Sequence, residues 1–530
     1  MSLNNAPPQP LNLNAGALEW ALQHVSKFGD TIFLPKAFEY QAITADWSNI
    51  KAWMLAQDMR SWNPRPHRRF LASKTRYSFR YVTQLDPLEN LAFTSLVHQI
   101  GAQLEAIRRP KTERVVYSWR FDARPGGQMY DPAFRWSSFT DRCLELAQAP
   151  GCHWVVVADI ADFFPHIYVH PVERALDTAT NGSPEAYCLF RFIRNWNAFV
   201  SYGLPVGVAA SRILAEATIA DVDASLGGTG RKYCRYSDDI RIFCRSERDA
   251  HAALEELAAT LFESHGLTLQ PAKTTIIRKS EYVQRFVVTP ERVEIESLTS
   301  KLHELLEQAG WPDDYEQEIE YDDLPQHFQE EVDALNLVEV FREQLALERS
   351  DPVIMTFLLH RLGQLNFDEI TSDILSNIEK LQHVIDAVVR YLENLRGLTS
   401  EQKAKIGKKV LASAAKRTRS TYERVCLLSL FTKGLEFDNE GRFERLHEAV
   451  SDPHSKREIT LALGRAGKDH WFMQRRRDCG TLEPWLRRAF IAASSCLDED
   501  ARGPFYRSLR GGSDVLEKAI IKWASANPFA

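Results

Sequence analysis

The sequence predicts an α+β domain with a mainly antiparallel sheet, followed by an all-α tail. Three observations carry this. Short β-branched runs and one hairpin sit among helical stretches up to about residue 290. From about Glu343 the pattern is helical to the end. The chain has 530 residues, too many for one ordinary core, so two or three domains are expected.

The N-terminal stretch MSLNNAPPQPLNLNAGALEW lacks a basic start followed by an apolar run, so it does not read as a secretion signal. Residues 1–30 read as a flexible leader. Residues 31–135 mix helical patterns with a basic and aromatic concentration between Arg60 and Arg80. Basic groups interleaved with rings suit phosphate and base contact, and equally suit a solvated basic loop.

Residues 136–290 hold the β signals. His153 to Ile160 (HWVVVADI) is a short buried strand. Arg231 to Cys244 reads as two alternating strands joined at Ser237-Asp238. Between these strands, Arg212 to Leu226 reads as a helix. Asp249 to His265 is an amphipathic helix, with Gly266 as its stop.

Residues 291–342 turn acidic (DDYEQEIEYDD) and read as a solvated linker. Residues 343–530 read as a helical tail with a weak repeat. Arg424, Arg457 and Arg488 each open an apolar helical face. Their spacing of roughly 31 to 33 residues suits paired helices stacked as a solenoid.

Composition narrows the setting. The formal net charge is −6, against a chain coated in nucleic acid but not against a local basic cleft. No apolar run reaches the ~18 residues of a membrane span. The eight cysteines form no CxxC or Cys/His cluster and read as reduced thiols of a cytoplasmic protein.

Two aspartates stand out. Asp159 ends the VVVADI run, and Asp238 and Asp239 sit at the YSDD turn. Taken singly, each reads as a cap or a turn. Together, at neighbouring strand ends, they suit nucleotide addition, where charge builds on attacking oxygen, phosphorus and leaving pyrophosphate. Two divalent cations about 4 Å apart clamp both oxygens. Magnesium needs few carboxylates because it keeps waters and shares substrate phosphates. The backbone carbonyl of Ile160 is a usable further ligand.

VVVADIADFFPHI, GLPVGVAASRILAEATIADVD, YSDD and GLTLQPAKT follow in the order of the reverse-transcriptase catalytic motifs, and over residues 31–290 the chain resembles that superfamily. The resemblance implies a right-hand polymerase, with fingers over 31–135 and palm over 136–290, ahead of a HEAT-like helical-repeat domain. It implies Asp159 and Asp238 as ligands of two Mg2+ ions, with Asp239 supporting and Mn2+ as a substitute. Phe164 matches the ring that excludes a 2′-hydroxyl, although the adjoining Phe163 leaves a core role open. Gly203, Pro205 and Gly207 match the turn that approaches the incoming base pair. Lys273 matches the lysine near departing pyrophosphate, or is an exposed loop lysine. KTRYSFRYVTQLDPLENL resembles the fingers motif that grips the triphosphate, with Lys74 and Arg80 the best matches and Arg76 a competitor.

Within the superfamily, GLPVG carries Val206 where retroviral, group II intron and retron enzymes typically carry Gln. VYSWR (Val116 to Arg120), SRILAE…DVD (Ser211 to Asp223) and the long helical tail resemble the bacterial abortive-infection and defence-associated reverse transcriptases (AbiK-like). That resemblance implies antiviral defence, dNTPs as substrate, single-stranded DNA made without a conventional template, a protein tyrosine as primer with covalently attached product, and a homo-oligomer. Tyr40 is the first priming candidate; Tyr77, Tyr117 and Tyr130 compete. Two alternatives stay open: an enzyme copying a dedicated non-coding RNA, and a non-catalytic scaffold that binds nucleic acid.

Overall fold

A computed structural model describes residues 9–529, apart from residues 76, 198, 285–334, 349, 435 and 438–441. The acidic stretch from Asp313 to Asp333 and the candidate Arg76 lie outside the described residues. The chain divides into two compact units that are interleaved in sequence. The first comprises residues 1–32, 51–67 and 83–292; the second comprises 33–50, 68–82 and 293–530.

In chain order the elements are α1 (Ala15–Phe28), α2 (Glu39–Ala45), α3 (Trp47–Leu55), β1 (Arg68–Thr75), β2 (Ser78–Gln84), α4 (Pro87–Ala106), α5 (Trp136–Gln148) and β3 (Trp154–Asp159). Then come α6 (Phe163–His166), α7 (Val169–Thr180), α8 (Pro184–Trp196), α9 (Ala209–Thr218), α10 (Ala220–Gly228), β4 (Lys232–Tyr236), β5 (Asp239–Cys244), α11 (Glu247–His265), β6 (Thr275–Arg278) and α12 (Lys279–Tyr282).

The core of the first unit is a four-stranded antiparallel sheet in the order β4-β5-β3-β6. β3 is central because Val155, Val156, Val157 and Ala158 have no polar atom to expose on either face; each is at most 3% exposed. α11 packs on β3 and β5, while α5 packs on β4 and β5. Ser246 caps the start of α11 by accepting the Asp249 N–H. Gly266 ends it at φ 64°, and a Cβ there would come within 2.9 Å of the Tyr168 ring. α4 is buried along most of its length and contacts α1, α7, α8 and α9.

The leader expectation is corrected. Residues 15–28 form a helix, started by Asn14, whose side chain accepts the Gly16 and Ala17 N–H groups. Leu18, Trp20, Ala21, Leu22 and Val25 are buried, and α1 packs on α4. The single helix expected over 212–226 is two, α9 and α10, meeting at Ile219.

The boundaries of the fingers and tail also differ from expectation. Residues 33–50 and 68–82 belong to the second unit, where β1 packs on the helix Thr421–Ser429 and α2 packs on the helix Val515–Ala526. Among the described residues after 284, the first helix is Leu337–Ala346. The helices Pro352–Gln364, Ile385–Asn394, Thr421–Ser429, Pro453–Arg465, Pro484–Ala493 and Val515–Ala526 pack each on the next. Arg424, Arg457 and Arg488 fall on three consecutive members of this stack. Gly464 permits one such approach, since a Cβ there would lie 2.6 Å from the Ala493 Cβ. All eight cysteines are free. Among the described residues no helix is long and apolar enough to cross a membrane.

Candidate active site

The sheet brings the sequence-distant aspartates to one edge. Asp159, the last residue of β3, pairs in register with Asp239, the first residue of β5. Facing residues of an antiparallel pair have Cα atoms roughly 4.5–5.5 Å apart. One residue further, Ile160 N–H donates to the Asp238 carbonyl at 3.0 Å. The strand ends that carry Asp159, Asp238 and Asp239 therefore meet, and Asp238 feels the charges of the other two.

Their electrostatics record the crowding. Burial, then the charges of Asp239 and Asp159, push the Asp238 carboxyl up to about 6. Lys273 works against this, and its Nζ lies 2.9 Å from Asp159 Oδ2. The loop after α11 sets that contact: Gln270 N–H donates to the Asp159 carbonyl at 2.7 Å, and Lys273 N–H to the Gln270 carbonyl at 3.1 Å. Burial lowers the Lys273 pKa, but its bond to Asp159 and the charges of all three aspartates raise it overall.

Such a cluster of negative charge fits a divalent cation. Among the described residues no group of three or more His, Cys, Asp and Glu side chains forms a metal cage. Magnesium needs less: two carboxylates and the Ile160 carbonyl match its preference for oxygen, with waters and substrate phosphate completing the shell.

Motifs one and two meet beside the carboxylates. Leu204 N–H donates to the Phe164 carbonyl at 3.0 Å, and Gly203 N–H to the Ile167 carbonyl at 2.8 Å. Phe163 is the core ring at 2% exposure, whereas Phe164 is partly exposed. Gly203 has φ 110° and Gly207 φ 103°, a region that favours glycine. Pro205 is buried between them. Gly207, Trp119, Tyr130, Arg212 and Tyr236 line a cavity of about 380 Å3, with the Arg212 guanidinium 4.1 Å from the Trp119 ring centre.

Of the remaining candidates, Lys74, Arg80, Tyr40 and Tyr77 lie on the second unit, whereas Tyr117 is buried in the core of the first. Lys74 is half-buried on β1. Arg80 is half-buried on β2, its guanidinium 4.9 Å from the Phe33 ring. Tyr40 sits on α2 with a side chain only 2% exposed. A priming nucleophile has to reach a nucleotide, so this burial counts against Tyr40 as the chain stands. Tyr77, by contrast, is 65% exposed. The basic stretch is partly structural: Arg60 pairs with Asp58, Arg65 with Asp86 and the buried Arg68 with Glu458.

Sequence reasoning missed a buried network behind the catalytic turn. Ser237 adopts φ 56°, an uncommon and strained conformation for serine. Its N–H donates to Ser118 Oγ at 2.8 Å, and Ser118 Oγ donates to Glu216 at 2.6 Å. Glu216 pairs with Arg108 at 2.8 Å and Arg235 at 3.0 Å, and Arg235 pairs with Asp223 at 2.6 Å. Burial pushes Glu216 up, yet Arg235, Arg108 and Ser118 together hold it below the usual carboxylate range. The available signal was Arg235, an arginine alternating with apolar residues in a strand directly before SDD.

Comparison with known proteins agrees with the motif order. Residues 119–301 match the family model described as reverse transcriptase (RNA-dependent DNA polymerase), so a reverse-transcriptase domain is present. No curated protein sequence matches the chain. Among solved structures the chain is similar to telomerase from Candida albicans in complex with a fragment of telomeric RNA, at 11% identity and a TM-score of 0.29, covering 78% of this chain and 71% of that chain. A likeness that loose carries no argument.

Proposed function

We propose that this chain is a DNA polymerase of reverse-transcriptase type acting in bacterial antiviral defence, which extends deoxynucleotides without a conventional template from a protein tyrosine. The observation that carries the polymerase reading is the convergence of Asp159 with Asp238 and Asp239 at the strand ends. Asp159, Asp238 and the Ile160 carbonyl hold magnesium, with Asp239 adding charge. When bound, the cations supply the positive charge that nucleotidyl transfer develops a need for.

The other residues position and select. Lys273 stands beside Asp159, where an ammonium meets the departing pyrophosphate. Phe164 presents its ring to the sugar. Gly203, Pro205 and Gly207 shape the turn beneath the new base pair, and Lys74 and Arg80 grip phosphate. The defence role, the unconventional template use, the homo-oligomer and the cytoplasmic setting rest on the resemblance of VYSWR and SRILAE…DVD. A HEAT-like repeat for the tail is supported by the stepwise stacking of its helices.

The test is incorporation of labelled deoxynucleotides with magnesium. Asp238→Ala removes a ligand and is expected to abolish incorporation; activity unchanged in that variant, or none from the wild-type chain under any primer and template, overturns the polymerase reading. Sequencing copurified nucleic acid decides template use: product matching a bound RNA selects the RNA-copying alternative. Tryptic mass spectrometry locates covalent DNA, with an adduct on Tyr40 expected despite its burial and one on Tyr77 displacing it.

A further inference from the structure

The second unit holds a cavity of about 270 Å3 that the polymerase reading does not use. Its lining carries Lys36, Arg68, Lys433, Arg457 and Arg465 against one carboxylate, Glu458. Lys433 is matched by Glu393 at 2.6 Å. Arg68 and Arg457 meet Glu458 at 3.2 and 2.7 Å, and Arg457 also meets the buried Glu39 at 2.7 Å. Arg465, half-buried, pairs with no carboxylate among the described residues; its Nε donates to the Thr432 carbonyl at 3.1 Å and its guanidinium lies 4.0 Å from the Phe529 ring centre.

A second observation is independent of that charge count. Arg457 is 3% exposed, and its Nε has no hydrogen-bond partner. A buried donor without an acceptor is costly, and an anion in the adjoining cavity would satisfy it. Burial, then the charge of Arg457, lowers the pKa of Arg68 to about 10, with Glu458 and Glu39 opposing the shift. Beside these guanidiniums stands a wall of rings: Phe38 and Trp523 stack at 6.0 Å, with Phe529 edge-on to Trp523.

We propose that this cavity binds one phosphate monoester of nucleotide size, its phosphate on Arg457 and Arg465 and its ring against the Phe38–Trp523 wall. The Arg465 guanidinium suits phosphate through paired terminal N–H donors, and Arg457, whose terminal nitrogens hold Glu458 and Glu39, adds its Nε–H. Ring faces accept any base. The volume lies just under the roughly 300–1,000 Å3 of drug-sized ligand sites, which fits a single nucleotide rather than a run of strand. The ligand is a free mononucleotide or the phosphorylated end of a strand, which share this chemistry.

Equilibrium dialysis tests the proposal. The full chain carrying Asp159→Ala and Asp238→Ala is used in EDTA, so the result does not depend on the polymerase reading. Labelled dAMP is expected to bind once per chain, with deoxyadenosine and inorganic phosphate each at least tenfold weaker. Arg465→Ala should weaken dAMP at least tenfold with an unchanged melting temperature, and Arg465→Lys should recover part of the loss. A 5′-phosphorylated dinucleotide binding better than dAMP identifies a strand end as the source. Binding of dAMP no tighter than deoxyadenosine, or unaltered in Arg465→Ala, overturns the proposal. Failure of incorporation by the wild-type chain leaves it standing.

Discussion

Lys273 Nζ lies 2.9 Å from Asp159 Oδ2, so an ammonium neutralises the carboxylate that a divalent cation would take. The lysine side chain is 53% exposed and Asp159 only 7%, which makes the pair half-solvated. A pair of that kind is worth ~1 kcal/mol or less. In Lys273→Ala the magnesium concentration for half-maximal incorporation should fall about two- to fivefold, since no ammonium needs displacing. The maximal rate should fall by about a hundredfold if the same ammonium assists pyrophosphate departure. A magnesium titration of initial rates separates the two effects.

The strained Ser237 turn depends on a buried hydroxyl and a buried carboxylate. Ser118→Ala strips the acceptor from Ser237 N–H and should cost about 1–3 kcal/mol of stability. Glu216→Gln leaves Arg108 and Arg235 with a lost counter-charge and should cost about 3–5 kcal/mol. Denaturant unfolding measures both, and incorporation by the still-folded Ser118→Ala chain should drop because the Asp238 backbone is less fixed.

Glu89 supplies a pH signature away from the site. It is fully buried, and burial followed by the charge of Asp86 pushes its carboxyl up to about 8 from an ordinary 4.5. Between those values the folded chain keeps a proton that the unfolded chain has released. This contribution to stability is therefore fully present below 4.5 and is lost as pH rises through 8. Glu89→Gln should unfold later than wild type at pH 8, flattening the melting-temperature profile over that window. Equal profiles for the two chains would refute the assignment.

Phe164 is the partly exposed ring of its pair, beside the turn at Gly203. Phe164→Val should raise the use of ribonucleotides relative to deoxynucleotides by about ten- to a hundredfold, the range that rejecting one small group commands. Competitive incorporation of the two sugars reads this ratio.

The sheet and its carboxylates were legible because local signals agreed. VVV before Asp159, alternation around YSDD and Gly266 after an amphipathic helix each specify one conformation, and the register followed. The leader was misread because Asn14 as a helix cap and Trp20 as a buried ring make sense only once α4 is there to pack against. Arg68 belongs to the basic stretch that suited phosphate contact and a solvated loop equally, but its partner Glu458 lies 390 residues away, beyond any local pattern. The network of Ser118, Glu216 and Arg235 was hidden for a similar reason: only Arg235, in the strand before SDD, hints at it until the fold brings the three together.

The order in which the two units use the chain has a consequence for synthesis and for engineering. Residues 33–50 and 68–82 precede in the chain the helices they pack on, Val515–Ala526 and Thr421–Ser429, and find these partners only once those helices have been made. Until then Tyr40, Phe70 and the acid of Glu39 are without the surroundings that bury them. A cut near residue 293 would therefore not release two self-sufficient pieces. The downstream fragment would lack its first strand and helix, and the upstream fragment would carry apolar segments with nowhere to go.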